Sequence, residues 1–368
     1  MTTDSSRSDG GGKILTRSLE VNLTAHCNLR CYGCDHASPV HAEAYLSVEE
    51  LEKDLAALAP VYHVFEFLLT GGEPLLHPRL IEVVDTIRRS GVADKITLMT
   101  NGVRLHNAPE ALWSKIDKLG VSIYPGVKRR LSHHDIEALA DRHRLLLWYK
   151  STNEFRRRLI HSENVAPDLV KAIYSICTLR SSCHTIHQGR YFKCSPAPFV
   201  PDWLRRVRID ALGFERDSVA VRDNPDLREQ LAEYLTHEEP LTACRYCLGS
   251  VGKSTPLRQM NKADAQQWLS EKDPDPRALI DWEALRMAQV RLQGVDLTGV
   301  LATLVGRRIR WRITPWFKRI LGIDLTGAPP TLIGTRMRRL FSRRRISRRG
   351  GLRWMVHQDV QEPTSDGS

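Results

Sequence analysis

The chain has 368 residues, of which 42% are hydrophobic, and it carries a net charge of +11 at pH 7. This composition is typical of a soluble globular protein with a sizeable core, and no apolar run approaches the roughly 20 residues of a membrane span. The first twelve residues are polar and rich in glycine and serine, without the apolar stretch of a signal peptide, so we expect a disordered leader and a cytoplasmic location.

Strand and helix patterns alternate along the first half of the chain. A capping box at Ser47 and Glu50 begins one helix, and short apolar runs mark the strands. In chain order, strands are predicted at 19–23, 64–70, 95–100, 121–124 and 145–149, and helices at 51–58, 78–90, 110–116 and 136–143. This alternation predicts a parallel sheet with helices packed outside, whose ligands lie at the C-terminal ends of the strands.

Chemically suggestive residues occupy those strand ends. Three cysteines follow the first strand, Gly71-Gly72-Glu73-Pro74 follows the second, Asn101 follows the third, and Ser122 lies on the fourth. The shared location predicts one site.

The eight cysteines indicate metal rather than disulfides, because they are clustered in a chain without an export signal. Cys27, Cys31 and Cys34 are spaced so that one tight loop can direct three thiols to a common point. Three thiolates leave the fourth iron of a 4Fe–4S cluster open to a small molecule. The alternatives are a structural zinc site, with His36 as its fourth ligand, and a redox-sensing loop.

With its C-x3-C-x2-C loop and Gly-Gly-Glu-Pro stretch, the chain resembles the radical S-adenosylmethionine (SAM) superfamily over residues 15–149. The resemblance implies a partial (β/α)6 TIM-like barrel, a 4Fe–4S cluster on the three cysteines, and bound SAM. It further implies that Gly71 and Gly72 let the backbone approach the methionine moiety and that Glu73 accepts from its ammonium group. Asn101 and Ser122 become ribose or carboxylate partners. The family's adenine-packing aromatic position is Gly33 here, so Tyr32 is the candidate for that contact.

The other five cysteines predict a second metal site. Cys194 follows a predicted hairpin with Gln188-Gly189 at its turn, and Cys244 and Cys247 form a C-x2-C pair. This arrangement resembles the twitch domain, a shortened relative of the SPASM domain, which holds an auxiliary 4Fe–4S cluster. Cys177 is the predicted fourth ligand, with Cys183 as its rival, and zinc is again the alternative.

Four segments are predicted: a leader at 1–13, the barrel core at 14–174, the twitch/SPASM-like domain at 175–256, and a basic, mostly helical region at 257–368. Residues 301–355 carry fifteen Lys and Arg and one acid. We expect this segment to contact an anionic membrane surface peripherally, or another polyanion, unless it is only a solvated surface.

The resemblance implies hydrogen abstraction from a small polar substrate such as a sugar or aminocyclitol, with net oxidation or epimerisation. The reductant is expected to be a flavodoxin or ferredoxin. Candidate catalytic residues are His36, His184 and Arg190. The alternatives are maturation of a ribosomal peptide, nucleic-acid modification guided by the basic segment, and a cluster-binding protein without turnover.

Overall fold

The structure is a computed structural model, and it describes residues 7–8, 12–164 and 166–292. The chain divides into a compact unit of residues 1–293 and a second of 294–368, and the description concerns the first. The basic segment 301–355 and most of the predicted leader lie outside the described residues. No helix in the described part of the chain is long and apolar enough to cross a membrane.

The elements alternate as predicted in the first half of the chain. The strands are β1 Arg7–Ser8, β2 Ile14–Asn22, β3 Tyr62–Thr70, β4 Ala93–Thr100, β5 Lys118–Ile123, β6 Leu146–Ser151, β7 Glu154–Arg156, β8 His184–His187, β9 Arg190–Phe192, β10 Ser218–Ala220 and β11 Ser254–Pro256. The helices are α1 Val48–Leu58, α2 Leu80–Ser90, α3 Glu110–Trp113, α4 His133–His143, α5 Pro167–Ile176, α6 Leu179–Ser182, α7 Val200–Arg206, α8 Leu227–Thr236, α9 Lys262–Ser270 and α10 Trp282–Leu292.

Several boundaries differ from the predicted ones. The first long strand begins at Ile14, five residues earlier than predicted, and the third helix ends at Trp113. Residues 7–8, assigned to the disordered leader, pair with Ile14 and Leu15. They can do so because β8 pairs only with residues 19–21 of β2, which leaves the first part of that edge open.

The main sheet is parallel at its centre, which confirms the predicted α/β class. Among the described residues its strand order is β10-β9-β8-β2-β3-β4-β5-β6, and β8 through β6 in that order run parallel. The sixth parallel strand therefore comes from the segment predicted as the twitch/SPASM-like domain. The predicted boundary at residue 175 does not separate two sheets.

Alternation along the strands gives the sheet two different faces. Leu19 and Val21 of β2 pack in the main hydrophobic core with helix residues such as Leu51 and Leu55 of α1. Glu20 lies between them on β2 and points to the opposite face of the sheet, because successive side chains alternate. We call this opposite face the inner face. This inner face carries charged and polar residues, including Glu66 of β3, which pairs with Lys118 of β5 at 3.1 Å.

The hairpin of β8 and β9 has the predicted two-residue turn. His187 pairs with Arg190, and the residues between them, Gln188 and Gly189, have φ values of +47° and +73°. Two positive φ angles are the mark of a type I′ turn, which matches the twist of the flanking strands. The turn fixes the register that leads the chain to Cys194.

Candidate active site

The three clustered cysteines lie in the loop that follows β2, at the C-terminal end of the parallel strands. Cys31 is 7% exposed, and Cys27 and Cys34 are half-buried. A remote segment holds the loop in place: Tyr32 N donates to Arg258 O at 3.0 Å, and Met260 N donates to Arg30 O at 2.7 Å. Between these bonds, Gln259 Nε2 donates to Cys31 Sγ at 3.2 Å, and Gln259 Oε1 accepts from Arg30 N at 2.9 Å.

The two glycines after β3 make room for the cysteine loop itself. Gly71 has φ +121°, and a Cβ there would lie 2.8 Å from Thr24 O. A Cβ on Gly72 would lie 1.9 Å from His26 O, and Gly72 N donates to Thr24 O at 2.8 Å. Approach of this backbone to the methionine moiety stays a prediction. The structure gives the glycines a role of their own, because the β3 loop packs directly against the backbone leading into Cys27.

Replacing Gly72 with alanine is expected to disrupt this packing. The added methyl overlaps backbone atoms that cannot rotate away, so we expect a loss of about 3 kcal/mol in the free energy of unfolding, the upper end for overpacking. Gly91→Ala is the control, since its Cβ meets nothing within 4 Å and φ is +64°. That change is expected to cost about 1 kcal/mol of backbone strain. Denaturant unfolding of both variants checks the difference; equal losses would contradict the packing argument.

Glu73 is fully buried and ties two strand ends together. Its Oε1 accepts from Thr100 Oγ1 at 2.7 Å and from Leu75 N at 3.1 Å, and its Oε2 accepts from Asn101 N at 2.9 Å. Burial raises the pKa of Glu73, and these hydrogen bonds oppose that rise. Three protein donors thus bind the carboxylate, and these contacts hold the ends of β3 and β4 together. Its second oxygen accepts one of the three bonds, so the contact with the methionine ammonium group stays a prediction.

Asn101 lies beside the first cysteine. Its Nδ2 donates to Asn28 Oδ1 at 2.8 Å and approaches Cys27 Sγ at 3.6 Å, while its Oδ1 accepts from Val103 N at 3.0 Å. The side chain at the end of β4 therefore reaches the thiol loop, as the parallel sheet predicts.

Tyr32 points into a hydrophobic cluster of the C-terminal half. Its ring lies 5.8 Å from that of Trp268 and 4.4 Å below the guanidinium of Arg258, and its hydroxyl donates to Glu271 Oε2 at 3.0 Å. These contacts engage the ring that was predicted to pack on adenine. Tyr124, just beyond β5, also interacts with the thiols. Burial raises its pKa, the Ser122 hydroxyl bonded to it opposes that rise, and the charges of Cys31, Cys34 and Cys27 raise it further.

The electrostatics of the thiol trio fit a cationic ligand. Burial raises the pKa of Cys27 to about 12 and raises those of Cys31 and Cys34, and the neighbouring thiols add to the rise at Cys27 and Cys34. Buried thiols that repel one another as thiolates need positive charge nearby, which metal coordination supplies. The donor set therefore fits a 4Fe–4S cluster with one iron left open.

Four more cysteines surround a second cavity. Cys177 follows α5, Cys194 follows β9, and Cys244 and Cys247 lie on one short 3-10 turn, Thr242–Tyr246, and its C-terminal cap. The remaining lining is mostly apolar, with Ile173, Leu179, Val200 and Leu241 among its side chains. Asp217 holds the start of the 3-10 turn by accepting from Thr242 N at 2.6 Å and Ala243 N at 2.7 Å.

Burial and neighbouring thiols raise the pKa values of the thiols in this second cavity, as they do in the first trio. Burial raises the pKa values of Cys194 and Cys244 well above their usual range, and that of Cys247 to about 11, with the other thiols adding to each rise. Gly249 N donates to Cys247 Sγ at 3.3 Å. Cys183 is not among the lining residues of this cavity, although it was the rival to Cys177. The donor set fits four-thiolate coordination of a second cluster. Within the described residues, no group of three or more His, Cys, Asp or Glu side chains is arranged to hold a single metal ion.

Two of the three predicted catalytic residues, His184 and Arg190, form hydrogen bonds with neighbouring parts of the fold. His184 is 1% exposed, and its two ring nitrogens lie 2.6 Å from Tyr191 Oη and 3.3 Å from Arg180 O. Arg190 donates to Ser218 Oγ at 2.7 Å and to the backbone carbonyls of Glu215 and Ser218. These bonds join β8 and β9 to their neighbours.

His36 lies in the loop that follows β2, two residues after Cys34. Burial lowers its pKa to about 4, and the charges of His41 and Lys150 contribute to that lowering, so it is neutral at pH 7. Its ring packs edge-on against Phe199, with centroids 5.8 Å apart.

Two residues at the site carried no sequence signal. Gln259 lies 228 positions from Cys31, in a segment predicted only as basic and helical. Glu20 alternates with apolar residues on β2, a pattern that predicts an ordinary solvent-facing side chain. It is 9% exposed, and its Oε1 has no hydrogen-bond partner among the described residues.

Comparison with known proteins supports the resemblance over part of the chain. The family model of the radical SAM superfamily matches residues 21–162, which include the first thiol trio and the Gly-Gly-Glu-Pro loop.

Curated relatives match over a limited length. A GTP 3',8-cyclase of Microcystis aeruginosa is 38% identical over 102 residues, or 26% of this chain and 30% of that protein. A probable GTP 3',8-cyclase of Methanocaldococcus jannaschii is 33% identical over 97 residues, or 26% of this chain and 32% of that protein. The chain thus spans about a third of the length of these relatives.

Among solved structures, the crystal structure of BtrN in complex with AdoMet and 2-DOIA aligns with 60% of this chain and 82% of that chain. The identity is 16% and the TM-score is 0.34, too low to support a conclusion about this protein.

Proposed function

Because residues 21–162 form a radical SAM domain, we propose that the whole chain is a radical SAM enzyme that removes a hydrogen atom from a small polar substrate. The observation that carries the proposal is the convergence of three cysteines, the Gly71-Gly72 loop and Asn101 at the C-terminal ends of β2, β3 and β4. Such strand ends are where barrels of this kind place their active sites.

Within this proposal, Cys27, Cys31 and Cys34 hold a 4Fe–4S cluster. When bound, the cluster and SAM supply the electron and the sulfonium whose cleavage yields methionine and a 5′-deoxyadenosyl radical. Thr24 and the two glycines bring the β3 loop against the cysteine loop, and Glu73 keeps the ends of β3 and β4 in register. Asn101 places an amide beside Cys27 Sγ, where it can also meet a polar group of SAM.

We assign Cys177, Cys194, Cys244 and Cys247 to an auxiliary 4Fe–4S cluster. Their arrangement around one cavity supports this assignment, as does the mutual rise in the pKa values of Cys194, Cys244 and Cys247. Two strands of the main sheet lead directly to the two thiol groups: β2 leads to Cys27 and β9 leads to Cys194. The inner face of the sheet therefore adjoins both groups. A substrate there would be a small sugar-like or aminocyclitol-like molecule undergoing oxidation or epimerisation.

A second candidate function comes from the matched relatives. Two of them are named as GTP 3',8-cyclases, which makes GTP a candidate substrate of this chain as well. The matched stretch covers 26% of this chain, so the likeness leaves most of its residues unaccounted for.

One experiment tests both candidates. The full chain, reconstituted anaerobically with iron and sulfide, is incubated with SAM and dithionite, and 5′-deoxyadenosine is measured. We expect formation above a no-enzyme control. Added GTP that is consumed and stimulates this formation would support the cyclase candidate. Absence of 5′-deoxyadenosine at full iron loading would overturn the proposed function.

Gln259 offers a more selective test of the first cluster. Gln259→Leu removes the amide that donates to Cys31 Sγ, and hydrogen bonds to cluster sulfur stabilise the reduced, more negative state. We expect the midpoint potential to become more negative by on the order of 60 mV, which for one electron corresponds to about 1.4 kcal/mol.

The matched control is Gln266→Leu, an exposed glutamine on α9. Redox titration followed by electron paramagnetic resonance measures both variants. A normal iron content with an unshifted potential in Gln259→Leu would contradict the assignment of Cys31 as a ligand.

A further inference from the structure

Two polar atoms on the inner face of the sheet have no partner among the described residues. Glu20 Oε1 and Asn22 Nδ2 are both buried and make no hydrogen bond there. The two residues are two positions apart on β2, so their side chains point to the same side of the sheet. One atom is an acceptor and the other a donor.

Glu20 contrasts with the other acid on the same face. Glu66 of β3 pairs with Lys118 Nζ at 3.1 Å and accepts from the Thr97 hydroxyl. Glu20 is 9% exposed, and its described side-chain contacts are limited to the Ser195 hydroxyl and the charges around it. A buried carboxylate oxygen without a donor is costly, and native proteins keep such groups mainly where a ligand or water satisfies them.

The groups around Glu20 come from both sides of the sheet. Lys150 is solvent-exposed on β6, at the opposite edge of the parallel strands, and its charge acts on Glu20 across the inner face. Ser195 follows Cys194 directly, and Cys183 approaches Glu20 from the start of β8. Glu20 therefore lies between the chain segments that lead to the two thiol groups, on a face that is open along β6.

We propose that Glu20, Asn22 and Lys150 form the substrate-binding subsite and select a small hydroxylated amine. Glu20 accepts from the ammonium group of the ligand, and Asn22 Nδ2 and the Lys150 ammonium donate to neighbouring hydroxyl oxygens. An unpaired acceptor and an unpaired donor on one face match a ligand that offers both kinds of group side by side. This inference rests on the proposed function, because the subsite is assigned to the substrate of that reaction.

The ionisation of Glu20 makes the subsite sensitive to pH. Burial raises the pKa of Glu20 to about 7, while the Ser195 hydrogen bond and the Lys150 charge lower it. The charged group that acts on it is Lys150 on β6; the Cys183 thiol before β8, whose pKa burial raises to about 11, and His36 are both neutral at pH 7. The carboxylate is charged above this pKa and gains a proton below it, so affinity for a cation falls as the pH drops from 8 to 6.

The test uses the full reconstituted chain with glucosamine and a monoamino-cyclitol as probes and glucose as the uncharged comparator. Calorimetry is expected to detect binding of at least one amine, stronger than that of glucose and weaker at pH 6 than at pH 8. Glu20→Gln is expected to weaken amine binding about tenfold or more, as for a lost bond to a charged group, and to flatten its pH profile. Glu66→Gln, a paired acid on the same face, is expected to leave both unchanged.

The outcomes separate this inference from the proposed function. Iron content and circular dichroism show whether each variant folds. If neither amine binds, or if properly folded Glu20→Gln binds the amine as the wild type does, the subsite is wrong even when SAM is cleaved. Normal amine binding without any 5′-deoxyadenosine would instead overturn the proposed reaction and leave the subsite standing.

Discussion

Cys31→Ala is expected to abolish cleavage of SAM, with 5′-deoxyadenosine falling to the level of a no-enzyme control. The remaining two thiols of the trio cannot hold three irons, so we also expect the iron content to fall by about four atoms per chain. Cys31 is the most buried of the three, and its loss leaves Gln259 Nε2 without the sulfur to which it donates.

Cys183→Ala is the matched control for this experiment. Cys183 is a half-buried cysteine outside the lining of the second cavity, so iron and SAM cleavage are expected to remain near wild type. Iron, sulfide and 5′-deoxyadenosine are measured in parallel for both variants. A normal yield of 5′-deoxyadenosine from Cys31→Ala would remove the basis of the proposed function.

The double variant Cys244→Ala, Cys247→Ala is expected to lose the second cluster while keeping the first. Both thiols lie on one short turn held by Asp217, so their removal takes two of the four donors from the cavity. We expect iron to fall by about four atoms per chain, to roughly half of the wild-type content. The electron paramagnetic resonance signal of the first cluster should remain.

Two comparisons make this second result decisive. Cys177→Ala should lower iron as the double variant does, and Cys183→Ala should not, because only Cys177 lines the cavity. The opposite order would make Cys183 the fourth ligand. Unchanged iron with loss of zinc from the double variant would favour the zinc alternative.

The sequence by itself determined the features that depend on near neighbours. The spacing of Cys27, Cys31 and Cys34 defines one loop, and Gln188-Gly189 defines a two-residue turn, which the pairing of His187 with Arg190 confirms. The alternation of strands and helices predicted the parallel sheet and the edge at which Asn101 meets Cys27. These signals are local because turn geometry, capping and side-chain alternation act over a few residues.

Only the tertiary structure decided which distant residues meet. The sequence left Cys177 and Cys183 as rivals, and their positions relative to the second cavity depend on how α5 and β8 pack. It gave no sign that Gln259 reaches Cys31 or that Glu73 accepts from Thr100 and Asn101 at the end of the neighbouring strand. Glu20 acquired its significance only when β2 became a central strand of the sheet and buried this side chain. Such contacts follow from burial and strand order, which no local pattern encodes.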